Sequence, residues 1–284
     1  MKKIISLVLA LVMMAAALFT FASCGANDLN FGKEYSPLKA QTDILLQLNT
    51  KSVDVGVMDS IMAGYYMSQD TTYANSLMIV EDLALATEQY GIAARKGSGL
   101  IKKINQALID LAKAGTVDTL AEKYGIKSEL CIDTTQSVSA LTASEQADWD
   151  YIAGKGEFIV GYTVFAPIAY EKDGKLIGFD IELAEAVAEK LGIKVKFEII
   201  EWNSKEALLE AKSIDCIWNG MTINEERLAA MEISIPYLNN KQVAVIRKED
   251  KDKYKTTKDM SGAIVAAEEG SAGESCIIKK ADAE

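Results

Sequence analysis

Two rhythms of apolar positions alternate along most of this chain. In "SVDVGVMDS", Ser52 to Ser60, Val53, Val55 and Val57 fall on every second residue before an acid, which predicts a buried strand running into a loop. "LMIVEDL" (Leu77 to Leu83) and "YGIAARKG" (Tyr90 to Gly97) are two further apolar runs. From Gly99 to Ala114 the spacing changes. Leu100, Ile101, Ile104, Leu108 and Leu111 share one helical face, and Gly115 supplies the stop. Thr116 to Tyr124 predicts a second short helix ahead of Gly125.

From Ser128 to Asp148 the sequence is polar, rich in Ser and Thr, and without sustained period, the composition of a linker. Order resumes with a strand at Phe158 to Gly161 and a hairpin turn at Asp173-Gly174. An amphipathic helix at Ile181 to Leu191, closed by Gly192, precedes the alternating strand "IKVKFEIIEW". Ser204 to Ala211 reads as a short helix, and Ile214 to Trp218 as a buried strand ending in Asn219-Gly220. "KQVAVIRK" is a strand again, and "AIVAAEEGSAGES" (Ala263 to Ser275) is strand, loop and helix entry. Strands alternating with helices indicate an α/β protein with largely parallel sheets.

Composition narrows the function. The chain has 284 residues, 49% hydrophobic and 25% charged, enough for one large or two modest domains. A formal charge of -11 excludes a basic face for nucleic acid. There is no histidine, so the usual general base and the commonest metal ligand are missing. No enzyme activity, metal or cofactor is expected. Cys131, Cys216 and Cys276 lie far apart, with no close pair for zinc, and read as small buried residues, a single disulfide being the alternative. At the start, Lys2-Lys3, the apolar run Ile4 to Ala22 and "FASC" follow the order of a secretory signal; a permanent anchor is the alternative, the run approaching the roughly 20 residues that span a bilayer. The stretch resembles a bacterial lipoprotein signal, which implies acylation at Cys24, although Phe21 departs from the usual Leu.

The richest motif is "NGMTINEER", Asn219 to Arg227. Thr222 or Asn224 would cap a helix carrying Glu225, Glu226 and Arg227, beyond the carboxyl end of a strand where ligands gather in open α/β sheets. An arginine there can fork onto a carboxylate. Taken alone, the motif also fits a solvated surface arginine. Glu225 and Glu226 are adjacent on a helix and diverge, so they do not make a paired-acid catalytic site.

The wider frame "GYTVFAPIAY…DGKLIGFDIELAEAVAEKLG…IEW…SIDCIWNGMTINEER…IPYLNNKQVAVI" resembles the first half of the type II extracytoplasmic solute-binding proteins of amino-acid ABC importers, from about Phe158 to Ala272. "VDVGVMDSIMAGYY…ATEQYGIAARKGSGLIKKINQALIDLAKAGTVDTLAEKYG" resembles their second half, from about Tyr35 to Ile126. The resemblance implies a two-lobed fold, each lobe a mostly parallel sheet flanked by helices. It also implies a pocket. Arg227 would grip a ligand α-carboxylate, helped by Thr222 and backbone N–H groups near Thr222 and Ser271. Asp59 would take the α-ammonium, with the Gly220 carbonyl as a second acceptor. Phe165 and Trp202 would be apolar walls, both also readable as core aromatics. Glu268, if it faces the cleft, would favour a cationic or amide side chain; an ordinary loop acid is the equal alternative. Candidate hinge strands lie near Leu83 to Tyr90 and Tyr237 to Gln242.

The two halves stand in reversed order. Placing the tail "AIVAAEEGSAGESCIIKKADAE" before the head restores an uninterrupted second lobe, the pattern of a circular permutant. The expected organisation is a signal at 1–24, second-lobe segments at 25–88 and 241–284, first-lobe segments at 89–127 and 149–240, and a linker at 128–148. A dimer exchanging halves between two molecules is the alternative. The expected function is capture of a polar amino acid for an ABC permease, with the membrane reached through the lipid at Cys24. A ligand-sensing module of the same fold, or a degenerate fragment, is the alternative.

Overall fold

The computed structural model describes residues 28–69 and 71–279, so the expected signal at 1–24, with Cys24, lies outside the described residues. In chain order the elements are β1 (Glu34–Leu38), α1 (Gln41–Asn49), β2 (Val55–Asp59), α2 (Ser60–Gln69), α3 (Thr71–Ser76), β3 (Leu77–Arg95), α4 (Leu100–Lys113), α5 (Thr116–Lys123) and α6 (Ala143–Lys155). There follow β4 (Glu157–Tyr162), β5 (Tyr170–Lys172), β6 (Lys175–Ile177), α7 (Phe179–Leu191), β7 (Lys194–Ile199), α8 (Lys205–Glu210), β8 (Cys216–Thr222), α9 (Glu225–Ala230), β9 (Met231–Ile233), β10 (Leu238–Arg247), β11 (Ile264–Glu268) and α10 (Ala272–Ile277). The class is α/β, as the alternating pattern requires.

Among the described residues, β5 and β6 form a separate hairpin sheet, and nine strands form one sheet in the order β1-β11-β2-β10-β3-β8-β4-β7, with β9 on β3. Its outer strands are parallel: β11 lies between β1 and β2, and β4 between β7 and β8. Its middle is antiparallel, through β2–β10, β10–β3 and β3–β8. The expectation of largely parallel sheets therefore holds only for the two flanks. The sequence signal missed the middle because β3 and β10 return across the molecule without a helical crossover.

β3 also corrects the reading of two separate runs. "LMIVEDL" and "YGIAARKG" belong to one strand of 19 residues. Its first part pairs with Val245 to Arg247 of β10, and its last part with β8. The intervening positions alternate between half-buried and exposed because that stretch bridges the two flanks, which is why its pattern reads as a gap. Similarly, the strand expected to stop at Trp218 continues to Thr222, with all of its residues buried. Gly220 sits within it at φ +60, and a Cβ there would meet the Phe165 ring at 2.6 Å.

The polar stretch 128–148 is only partly irregular. Thr142 caps α6, accepting a hydrogen bond from the Glu145 N–H, while the Glu145 carboxylate accepts one from the Thr142 N–H. This capping box, written "TASE", starts a helix inside the segment expected to be linker. Ahead of it, Leu130 bridges to Leu238 and the Cys131 N–H donates to the Tyr237 carbonyl. Cys131, Cys216 and Cys276 are all free thiols.

The core follows the helical periodicity. Leu100, Ile101, Ile104, Ala107 and Leu108 bury one face of α4, and Phe179, Leu183, Ala184 and Val187 bury one face of α7. Around α1, Ile44, Leu45 and Leu48 pack over β2. Gly178, just before α7, has φ +138, and a Cβ there would lie 2.1 Å from the Ile168 carbonyl oxygen. Gly178→Ala is expected to destabilise the protein by roughly 2 kcal/mol or more, read as a lowered midpoint in thermal unfolding followed by circular dichroism. A midpoint equal to that of the parent would show that the turn relaxes freely.

Candidate functional site

At the carboxyl ends of β2, β8 and β11, one narrow cavity is lined by Gln41, Asp59, Thr163, Phe165, Trp202, Asn219, Gly220, Thr222, Arg227, Gln242, Glu268, Ser271 and Ala272. All eight residues expected in the pocket, Asp59, Phe165, Trp202, Gly220, Thr222, Arg227, Glu268 and Ser271, are on this wall. They come from both flanks of the sheet. The cavity itself is about 10 Å³, roughly the room for one water molecule.

On one side stands Arg227, in the first turn of α9. Asn224 caps that helix by accepting a hydrogen bond from the Arg227 N–H at 2.8 Å, and this fixes where the side chain leaves the backbone. The guanidinium is buried and donates to two carbonyls, Thr222 O at 2.9 Å and Gly270 O at 3.1 Å. Its centre lies 6.0 Å from the Trp202 ring. Burial lowers its pKa, opposed by the charges of Glu88, Glu206, Asp59 and Glu226. Lys205 stands beside it, equally buried, and its Nζ donates to Trp202 O at 3.3 Å and Gly270 O at 3.4 Å. Burial and then the Arg227 charge push the Lys205 amine down to about 8. The Gly270 carbonyl also accepts from the Trp202 indole N–H at 3.2 Å, so three donors converge on one oxygen.

On the other side stands Asp59, the last residue of β2. The expected loop is absent, because α2 begins at Ser60. Asp59 Oδ1 accepts from the Tyr90 hydroxyl at 2.5 Å, Asn240 Nδ2 at 2.6 Å and Gln242 Nε2 at 2.9 Å, and Oδ2 accepts from Gln41. Burial, then the neighbouring Glu88 charge, holds its carboxyl well above the usual range despite those donors. Glu268, at the end of β11, is buried and pushed up to about 8 by desolvation, with Gln41 and Lys205 opposing. Asp180, in the first turn of α7, accepts from the Gly220 N–H at 3.1 Å and the Tyr237 hydroxyl at 2.8 Å, and burial raises it to about 7. It ties the "GFD" segment to the Gly220 bend.

Two expected contacts are occupied otherwise. The Thr222 hydroxyl donates to Glu88 Oε2 at 2.9 Å. The Ser271 hydroxyl caps α10 by accepting from the Glu274 N–H, and the Ser271 N–H donates to the Glu268 carbonyl at 3.2 Å, so that backbone N–H is not a free donor to the cavity. Two buried amide oxygens on the wall, Asn219 Oδ1 and Gln242 Oε1, accept no hydrogen bond from the protein. Gln41, Glu88, Lys205, Asn219, Asn240 and Gln242 were not anticipated. Part of the signal was available: "LNNKQV" places Asn240 and Gln242 on the inward face of a buried strand, where polar residues need partners.

Residues 158–283 match the model of the family described as bacterial extracellular solute-binding proteins, family 3. This segment is similar to that family, and it makes up less than half of the chain. The family is one of binding proteins that work outside the cytoplasm. The chain is 30% identical over 133 residues to the arginine-binding extracellular protein ArtP of Bacillus subtilis, covering 46% of this chain and 51% of that protein. It is 26% identical over 142 residues to the L-cystine-binding protein TcyJ of Escherichia coli, covering 49% and 53%. A solved substrate-binding protein of an ABC uptake transporter from Streptococcus pneumoniae, with bound histidine, is 40% identical over 29% of this chain and 35% of that one, with a TM-score of 0.28. The chain spans about half the length of the curated relatives it matches.

Because Glu268 and Asp180 are held protonated by the fold, while unfolded carboxyls titrate near about 4, their stabilisation is complete below that value and is lost as pH rises towards 7 to 8. Lys205 acts in the opposite sense, and only above about 8. The unliganded protein is therefore expected to melt at a higher temperature at pH 5 than at pH 8. Glu268→Gln should flatten that slope by about one proton, roughly 1.4 kcal/mol per pH unit. A slope unchanged in the variant would remove Glu268 as a buried, protonated group.

Proposed function

We propose that this protein captures a polar amino acid outside the cytoplasm and passes it to an ABC import permease, tethered by a lipid on Cys24. One observation carries the reading: a buried cation, Arg227, and a buried acid, Asp59, reach one cavity from opposite flanks of the sheet. A zwitterion needs both. Arg227 is bonded to carbonyls rather than to a carboxylate, so a ligand carboxylate would supply the counter-charge its burial calls for. At the far end, Asp59 and the unpartnered oxygens of Asn219 and Gln242 would accept from an ammonium group. Phe165 and Trp202 would flank the side chain, and Glu268 would favour one that is amide-bearing, or cationic once it gives up its proton. The names of the relatives, arginine-binding and L-cystine-binding, fit an amino-acid ligand.

Entry would need motion. A cavity of about 10 Å³ holds no amino acid, so the flanks would part by bending at β3 and β10, the strands that cross between them. Binding then requires no reaction. We read the chain order as a circular permutation, in which segments 25–88 and 241–284 form the second lobe, 89–127 and 149–240 the first, and 128–148 the join. The seating of β11 between β1 and β2 of the same chain supports this. So does the position of Asn30, whose N–H donates to the Ile277 carbonyl at 2.7 Å.

A thermal-shift screen of the purified protein against the common amino acids tests the function. At a hundredfold excess over Kd, a true ligand stabilises by about 2.7 kcal/mol. Arg227→Ala and Asp59→Ala should each abolish the shift while circular dichroism reports a folded protein. Equal shifts in the variants and the parent, or no shift with any amino acid, would sink the reading.

A further inference from the structure

Asp59 has a second acid beside it that the zwitterion clamp leaves without a role. Glu88 lies two residues before Tyr90 on β3, so both side chains leave the same face of the strand. Asn240 Nδ2 donates to Asp59 Oδ1 at 2.6 Å and to Glu88 Oε1 at 2.5 Å. Gln242 Nε2 does the same at 2.9 Å and 2.8 Å. Two nitrogens, each within reach of both carboxylates, force the acids together. The Asn240 amide cannot turn away, because its oxygen accepts from the Ser60 hydroxyl at 2.9 Å and the Ile61 N–H at 3.3 Å.

The surroundings supply little counter-charge. From β3 the Tyr90 hydroxyl donates to Asp59. From α1 Gln41 offers a neutral amide, and β10 offers only the amides of Asn240 and Gln242. From α10 comes the half-buried Cys276 thiol, whose pKa is pushed up to about 11 by burial and by Glu88 and Asp59. The cation acting on both acids is Arg227, from α9, and it is held on the Thr222 and Gly270 carbonyls. Two carboxylates so close, one of them fully buried, share a proton unless a cation joins them.

We propose that Asp59, held against Glu88, keeps a proton in the unliganded protein and releases it to solvent when a ligand ammonium enters, with Glu88 as the positioning residue that sets this exchange. The ammonium keeps its own protons, and the Asp59 proton leaves as the positive charge arrives, so the charge of the subsite is conserved. Asn240 also borders the larger cleft between the flanks, about 820 Å³, which puts the pair one side chain from solvent. Binding should tighten about tenfold per pH unit below the midpoint of the pair. The ammonium half of this proposal rests on the amino-acid reading above.

Carbon-13 NMR of the carboxyl groups of the unliganded protein, titrated from pH 4 to 9, tests the Asp59 proton directly. Asp59 should titrate in two linked steps, and in Glu88→Gln its midpoint should fall by a unit or more. If that variant does not fold, the wild-type curve decides, and a single Asp59 step near about 4 overturns the proposal. Calorimetry with L-arginine, in phosphate and in Tris, counts protons: about one released by the wild type and less than half of that by Glu88→Gln. Equal release by both proteins overturns the coupling. An absence of heat with L-arginine counts against the amino-acid reading, and the NMR titration still decides the proton.

Discussion

Everything at the cavity depends on where β11 sits. Its parallel pairing with β1 on one side and β2 on the other brings Val265 beside Val55 and Ala266 beside Gly56. That register carries Glu268, Gly270 and Ser271 to the level of Asp59, although more than two hundred residues separate them in sequence. The join is reinforced at its base. Asp54 Oδ2 accepts from the Ile264 N–H at 2.9 Å, and Arg247 reaches from β10 to Asp54 Oδ1 at 3.2 Å and to the Val53 carbonyl at 2.7 Å. A slip of one residue would turn Glu268 to the opposite face of the sheet.

With that register fixed, the cavity becomes a place where charges are buried faster than they are paired. Arg227 and Lys205 lie on one flank and Asp59 and Glu268 on the other, and the cations are answered mainly by carbonyl oxygens. A carbonyl offers only a partial charge, so the Gly270 oxygen takes three donors where one carboxylate would serve better. Desolvation is opposed by these bonds and still dominates, which is why the acids are pushed up and the amines down. Such an arrangement is costly as a structural core and economical as a receptor for complementary charge.

Much of this was legible in the sequence. Periodicity located α4 and α7 almost residue for residue, and the Asp173-Gly174 turn fell where two positive-φ residues close the β5–β6 hairpin. The residues that line the cavity were reached through motif frames rather than pattern, because "NGMT" and "VMDS" keep the residue types that a strand end and a following helix must display. The middle of the sheet was not legible. β3 changes neighbours along its length, so no single period describes it, and Glu88 and Asp82 look like surface acids within it. Lys205 was equally hidden, since nothing local distinguishes a lysine buried against Trp202 from one in water.

Three of the residues that pattern missed, Glu88, Asn240 and Gln242, share an address with Tyr90. Glu88 and Tyr90 are on β3, and Asn240 and Gln242 are on β10, the two strands that cross between the flanks and pair there as Asn240↔Glu88 and Leu238↔Tyr90. All three donors to Asp59 Oδ1 are therefore mounted on the crossing strands, while Gln41 on α1 serves Oδ2. Any bend of those strands changes the spacing between Asp59 and its donors as well as the width of the cavity. A displacement of about 1 Å lengthens a hydrogen bond beyond its useful range, so under the proposed bend the charge state of the acid end and the opening of the cleft would be set by the same backbone. Strength at the cation end is different in kind: Arg227 is fixed by its own helix cap and meets the other flank only at Gly270. Under the proposed bend the acid end of the cavity would change with the crossing strands, and the cation end would move towards or away from it.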